Sequence, residues 1–143
     1  MIEQICMETA LTESAKEVFE TMIFMDITET SEQDVDTDQM MLLGSITFKG
    51  SLEGCLSICC SGSCARVIAA NMLGMDSNEQ VTPEDTYDAI GEVANMILGS
   101  VKSRLMEKVG NLEISIPSVI SGREIQNSLL SKLFVKTSPR CLT

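Results

Sequence analysis

The feature that most constrains the fold is a long helical segment marked at both ends, running from Thr82 to Gly110. Thr82 carries the hydroxyl that an N-cap needs, and Pro83 suits the first helical position, where a missing N–H leaves no bond unmade. Glu84 and Asp85 complement the positive end of the helix dipole, Lys102, Arg104 and Lys108 gather toward the other end, and Gly110 supplies the C-terminal stop. Ile90, Ala94, Ile97, Val101 and Leu105 recur at helical steps and form one apolar stripe that needs a packed layer beneath it. Asp88, Glu92, Asn95, Gly99 and Lys102 run roughly opposite. The spacing predicts a helix near 83–108 whose second stripe faces solvent or a partner; a solvated polar face is the ordinary reading of such a stripe.

A helix of that kind has to lie on a core. The sequence has 143 residues with 44% hydrophobic content, enough for one domain over residues 1–143. Only 3% are aromatic and none is Trp, so Leu, Ile, Val and ten Met must fill the interior. The formal net charge of −11 argues against nucleic acid, because a phosphate backbone needs a Lys/Arg footprint, and equally against an anionic membrane surface. The opening MIEQICMETALTESAKE is acidic and does not read as a signal peptide, and no run approaches the roughly 18 apolar residues of a membrane span. A cytoplasmic protein is expected, with its six Cys as reduced thiols. Histidine is absent, which removes histidine general-base catalysis and leaves zinc only an all-Cys or Cys/carboxylate site.

In chain order, Leu11, Ala15, Val18, Phe19 and Met22 keep helical spacing and predict a first helix near 3–25. The acidic run TETSEQDVDTDQM follows, with Glu29, Glu32, Asp34, Asp36 and Asp38, and reads as a solvated loop; it lacks the Gly and terminal Glu of an EF-hand. Met41–Gly50 and Leu52–Cys60 alternate as a half-buried hairpin, and SGSCARVIAANMLG predicts a short helix capped by Ser61 or Ser63 and stopped at Gly74. After the long helix, Leu112–Ile120 is β-rich with Pro117 inside, which suggests an edge strand or a bulge, and Leu129–Thr137 supplies a last strand. The expected fold is α/β in the α+β sense: a mostly antiparallel sheet layered with two long helices and one short one.

The two long helices also align at an offset of 75 residues. Ala15, Val18, Phe19 and Met22 fall on Ile90, Val93, Ala94 and Ile97, and Glu13, Glu17 and Glu20 fall on Asp88, Glu92 and Asn95. A pseudo-symmetric pair with outward acid-rich stripes would follow. Only the second copy has a carboxamide where the first has Glu20.

Nucleotide-binding loops and nucleophile elbows are absent from the sequence. The cluster Cys55, Cys59, Cys60 and Cys64 invites a zinc or redox reading, yet structural zinc sites favour CxxC pairs and strand alternation puts Cys55 and Cys59 on the face opposite Cys60. Chemistry is better sought at Glu92 and Asn95, three apart on one helix face. A carboxamide donates to one group and accepts from another, so it can hold a water in line with a phosphorus without competing as a base. For an already reactive acyl phosphate, such positioning goes far.

The string Asp88-x3-Glu92-x2-Asn95, with Pro117 22 positions beyond Asn95 and then Ser121-Gly122-Arg123, resembles the signature of the CheC/CheX family of chemotaxis phosphatases. GSLEGCLSICCSGSCARVIAANMLGM resembles the strand, strand and helix that precede it there, so the likeness runs from about Leu11 to Arg123. The resemblance implies a CheC-like fold and an enzyme that removes phosphate from the phospho-aspartate of a CheY-type response regulator, at the regulator's own Mg²⁺ and with no cofactor of this chain. It implies that Glu92 contacts a regulator Lys and Asn95 positions the attacking water, with Asp88 and Pro117 in orienting and structural roles. Glu20 in place of a first Asn resembles the one-motif CheX type, which acts as a homodimer joined through its sheets; a CheD-like protein is a further candidate partner. Family members continue with another strand where this sequence reads SPRCLT, a departure that bears on the dimer mode. The alternative is a non-catalytic CheC-like module that docks a response regulator or a flagellar motor component.

Overall fold

The alternation between Met41 and Cys60 folds as an antiparallel hairpin, β1 (Met41–Gly50) and β2 (Gly54–Ser61), in the register Leu42↔Cys60, Gly44↔Ile58 and Ile46↔Leu56. The computed structural model describes residues 2–28, 40–50, 53–76, 80–122 and 133–134, so the acidic run from Glu29 to Asp38 lies outside the described residues. Period-two alternation sends Leu42, Ile46, Leu56, Ile58 and Cys60 into the main core and turns Cys55 and Cys59 to the opposite face, as the sequence predicts.

The other edge of β1 is shared by two short strands, β3 (Leu112–Ile114) and β4 (Ser118–Gly122), both antiparallel to it. Pro117 falls in the break between them, where its missing N–H leaves no ladder bond to lose. Ser115 bridges the gap instead: its N–H donates to Thr47 O and its Oγ accepts from Thr47 N–H, both at 2.9 Å. Leu133–Phe134 forms β5, parallel to β2, giving the order β3-β1-β2-β5 with β4 beside β1. The remainder of the strand predicted over Leu129–Thr137 lies outside the described residues.

The helices cover one face of this sheet. α1 (Ile2–Val18), α2 (Gly62–Leu73) and α3 (Pro83–Val109) are joined in one layer, with α3 central: it packs on β1, β2 and β4 and against both other helices. α2 begins at Ser61, whose Oγ accepts from Cys64 N–H at 3.1 Å, and stops at Gly74, held at φ 68° where a side chain would be strained. The apolar stripe of α3 is fully used: Ile90, Ala94, Ile97, Val101 and Leu105 are all buried. Each buried Ile there contributes about 1.5–3 kcal/mol of transfer free energy.

The end of the first helix departs from the expectation. Met22, placed in the core by its spacing, is 52% exposed, while Ile23 is fully buried. Phe19–Ile23 is a turn of π-helix, which inserts an extra residue per turn and advances the inward face from Met22 to Ile23. Phe24 then ends the helix in the left-handed region at φ 62°, and both its N–H and that of Met25 donate to Phe19 O.

Candidate functional site

α3 is fixed at its start by a reciprocal cap. Asp85 N–H donates to Thr82 Oγ1 and Thr82 N–H donates to an Asp85 carboxylate oxygen, each at 3.1 Å. Gly110, at φ 65°, releases the chain into β3. Between these stops the helix runs without a break from Pro83 to Val109.

Asp88, Glu92 and Asn95 lie on one exposed stripe of that helix. Among the described residues, none of these three side chains has a hydrogen-bond or ion-pair partner. Glu92 and Asn95 sit one turn apart, about 5–6 Å between their Cβ atoms, so a carboxylate and a carboxamide can enter one cleft together. Such a pair offers two acceptors on the acid and both a donor and an acceptor on the amide.

Two walls border the stripe. On the first, Pro117 Cβ and Val119 Cγ2 stand 3.5 Å from where a Cβ on Gly91 would be, so the break before β4 rests on the helix one residue from Glu92. Tyr87 Oη and Ser121 Oγ share a hydrogen bond along that same wall, a contact no sequence pattern announces. Pro117 thus lies beside the polar stripe, and Asp88 lies on it one turn before Glu92.

On the second wall stands α1. Arg104 donates to Glu13 at 3.1 Å and also to Glu17, whose carboxylate lies 3.4 Å from Ser100 Oγ. The pseudo-symmetry predicted for the two stripes is broken here: two acids of the first stripe are tied across to α3, while their counterparts on α3 have no partner among the described residues. An open groove of about 320 Å³ results, lined by Glu17, Gly99, Ser100, Ser103 and Arg104.

The cysteines stay apart from this site. Cys60 and Cys64 are buried in the core, Cys59 is buried on the other sheet face and Cys55 is half-buried beside it. The hydrogen bond between the Cys60 and Cys64 thiols and the burial of Cys60 hold its pKa well above the ordinary thiol range, and burial raises that of Cys59. Neither is an activated thiolate. No group of three or more Cys, Asp or Glu side chains among the described residues is arranged to hold a metal ion. No helix among the described residues is long and apolar enough to cross a membrane.

Comparison with known proteins finds relatives for the sequence and the fold. Residues 42–135 match the family described as chemotaxis phosphatase CheX. A segment of 86 residues, 59% of the chain, is 34% identical to the CheY-P phosphatase CheX of Thermotoga maritima, and the match spans 54% of that relative's length. The crystal structure of a chemotaxis protein CheX from Desulfovibrio desulfuricans is similar with a TM-score of 0.67 and 25% identity, covering 82% of this chain and 78% of that one. A CheC-like superfamily protein from Shewanella sp. PV-4 gives a TM-score of 0.67 at 26% identity over 83% of this chain and 78% of the other.

Proposed function

Since the chain belongs to the CheX family of chemotaxis phosphatases, we propose that it is an aspartyl-phosphate phosphatase acting on a CheY-type response regulator, with Glu92 and Asn95 as the residues that enter the regulator's active site. One observation carries the assignment of residues: a carboxylate and a carboxamide stand exposed, a turn apart and without a described intramolecular partner, on a helix fixed at its start by a reciprocal cap.

The chemistry asked of the chain is modest. An acyl phosphate is already activated, so hydrolysis needs a water aligned with the P–O bond to the aspartyl carboxylate and compensation of the charge that develops. Asn95 accepts from that water and holds its oxygen in line; phosphorus gains the water oxygen, the acyl P–O bond breaks, and the aspartate leaves as a carboxylate beside inorganic phosphate. Mg²⁺ belongs to the regulator in this reading and neutralises the phosphoryl oxygens there. Glu92 pairs with a regulator Lys, and the charge-assisted bond sets the depth and angle of insertion. Asp88 orients the entry of the stripe, and Pro117 supports the turn that carries Glu92. A homodimer and a CheD-like partner belong to the same reading and are tested by sedimentation and by co-purification.

The decisive measurement is single-turnover loss of phosphate from a phosphorylated CheY-type regulator. Asn95→Ala is expected to lower the rate by about 100-fold or more, the scale on which lost positioning acts, while binding of the regulator is retained. Equal rates with wild type and Asn95→Ala would falsify the mechanism, and binding without any acceleration by wild type would identify a docking module of the same fold.

A further inference from the structure

A glycine inside a helix lowers the helix's stability relative to alanine, so its presence calls for a reason. Two reasons are visible elsewhere in this chain. A Cβ on Gly44 would meet Ile90 Cγ2 at 2.8 Å, and Gly74 and Gly110 adopt left-handed backbone, with φ 68° and 65°. Gly99 has neither excuse: its backbone is helical and, among the described residues, nothing stands within 4 Å of where its Cβ would be. The space beside it belongs to the open groove between α1 and α3.

That groove continues the exposed stripe. Gly99 is four residues beyond Asn95 and therefore one turn further along the same face. Its far wall is Glu17, the α1 counterpart of Glu92, and the wall is stiffened because Arg104 holds both Glu13 and Glu17. Ser100, Ser103 and Arg104 give the lining a hydrogen-bonding character that suits a polypeptide main chain better than an apolar side chain. Absence of a Cβ is also what lets another backbone come close.

We propose that the groove at Gly99 receives a main-chain segment of the phosphorylated response regulator adjoining its phospho-aspartate, and that Gly99 is kept small so that Asn95 can reach the phosphorus. The proposal rests on the phosphatase reading above. It makes Gly99 a determinant of approach, with an energetic signature that a packing glycine lacks: alanine there should improve the fold and impair the encounter.

The test is Gly99→Ala, Gly99→Gln and Ser103→Gln, each measured for thermal midpoint and for steady-state dephosphorylation of the phosphorylated regulator, with Asn95→Ala alongside. Gly99→Ala should raise the thermal midpoint while kcat/KM falls about tenfold, carried by KM; Gly99→Gln should lose about 100-fold. Ser103→Gln, which fills the groove from an exposed position, should raise KM without a change in midpoint. A more stable Gly99→Ala with unaltered kcat/KM in all three variants overturns the proposal and leaves the phosphatase reading standing. A lower midpoint for Gly99→Ala that tracks its loss of activity assigns the glycine to packing and overturns it too. Indistinguishable rates for wild type and Asn95→Ala remove both readings together.

Discussion

At the level of single residues, the polar groups divide into those already engaged and those left open. Glu17 and Glu92 occupy equivalent places in the two helices, yet among the described residues Glu17 is bound, by Arg104 and Ser100, and Glu92 has no partner. Glu92 is therefore the carboxylate available to a partner's cation. Glu92→Ala should raise KM for a phosphorylated regulator about 10-fold, the range of a charge-assisted bond, with a smaller change in kcat; titration of initial rates separates the two. Cys60 permits a pH prediction. Its folded-state pKa lies above that of the unfolded thiol, so the stability it lends is complete below the unfolded value of about 8.5 and is lost as pH rises through it toward the folded value. Urea midpoints should accordingly fall between pH 7.5 and pH 10, and Cys60→Ala should flatten that slope. The exposed pair Glu92–Asn95 was legible in the sequence because both residues lie on one helix and helical spacing alone joins them. Arg104 with Glu13 and Glu17, or Tyr87 with Ser121, were not, since their partners lie 34 to 91 positions away and only the fold brings them together.

Among the elements, legibility followed local chemistry. α3 could be bounded from Thr82 and Gly110, and α2 from Ser61 and Gly74, because caps and left-handed stops are written in the residues that form them. Thr82→Ala should cost about 1 kcal/mol, measured by chemical denaturation. The first helix was misread at its end for a converse reason: a π turn leaves no mark in the spacing, so periodicity continued to Met22 while the structure had moved on to Ile23. That displacement can be measured. Ile23→Ala should cost about 2–5 kcal/mol as a core truncation, whereas Met22→Ala should stay within about 0.5 kcal/mol; reversed values would return the inward face to Met22. Pro117 illustrates a reading that was right in kind and incomplete in detail. Its position signalled an interrupted edge, but the sequence could not show that the interruption rests on α3 at Gly91 and so shapes one border of the polar stripe.

For the molecule as a whole, the placement of the stripe depends on how closely α3 lies on the sheet. β1 is the strand on which β2, β3 and β4 all pair, and α3 lies close against it where Gly44 faces Ile90. Ile90 is fully buried and cannot swing away into solvent, so a methyl group at residue 44 must push helix and sheet apart. Gly44→Ala is expected to cost about 1–3 kcal/mol by overpacking. Ile90 precedes Glu92 by only two residues, so the displacement is felt at the site before it can relax along the helix. The variant should lose kcat for regulator dephosphorylation at temperatures where it remains folded, with regulator affinity less affected. Gly99→Ala is the opposite case on the same helix, gaining stability and losing approach. Measured side by side, the two substitutions test separately the two demands proposed for α3: that contact with β1 fixes where Asn95 points, and that the space at Gly99 sets how near a partner can come to it. If Gly44→Ala destabilises the fold yet leaves kcat unchanged, the height of α3 above the sheet has no bearing on the chemistry, and the placement of Glu92 and Asn95 must be governed by the partner rather than by this chain.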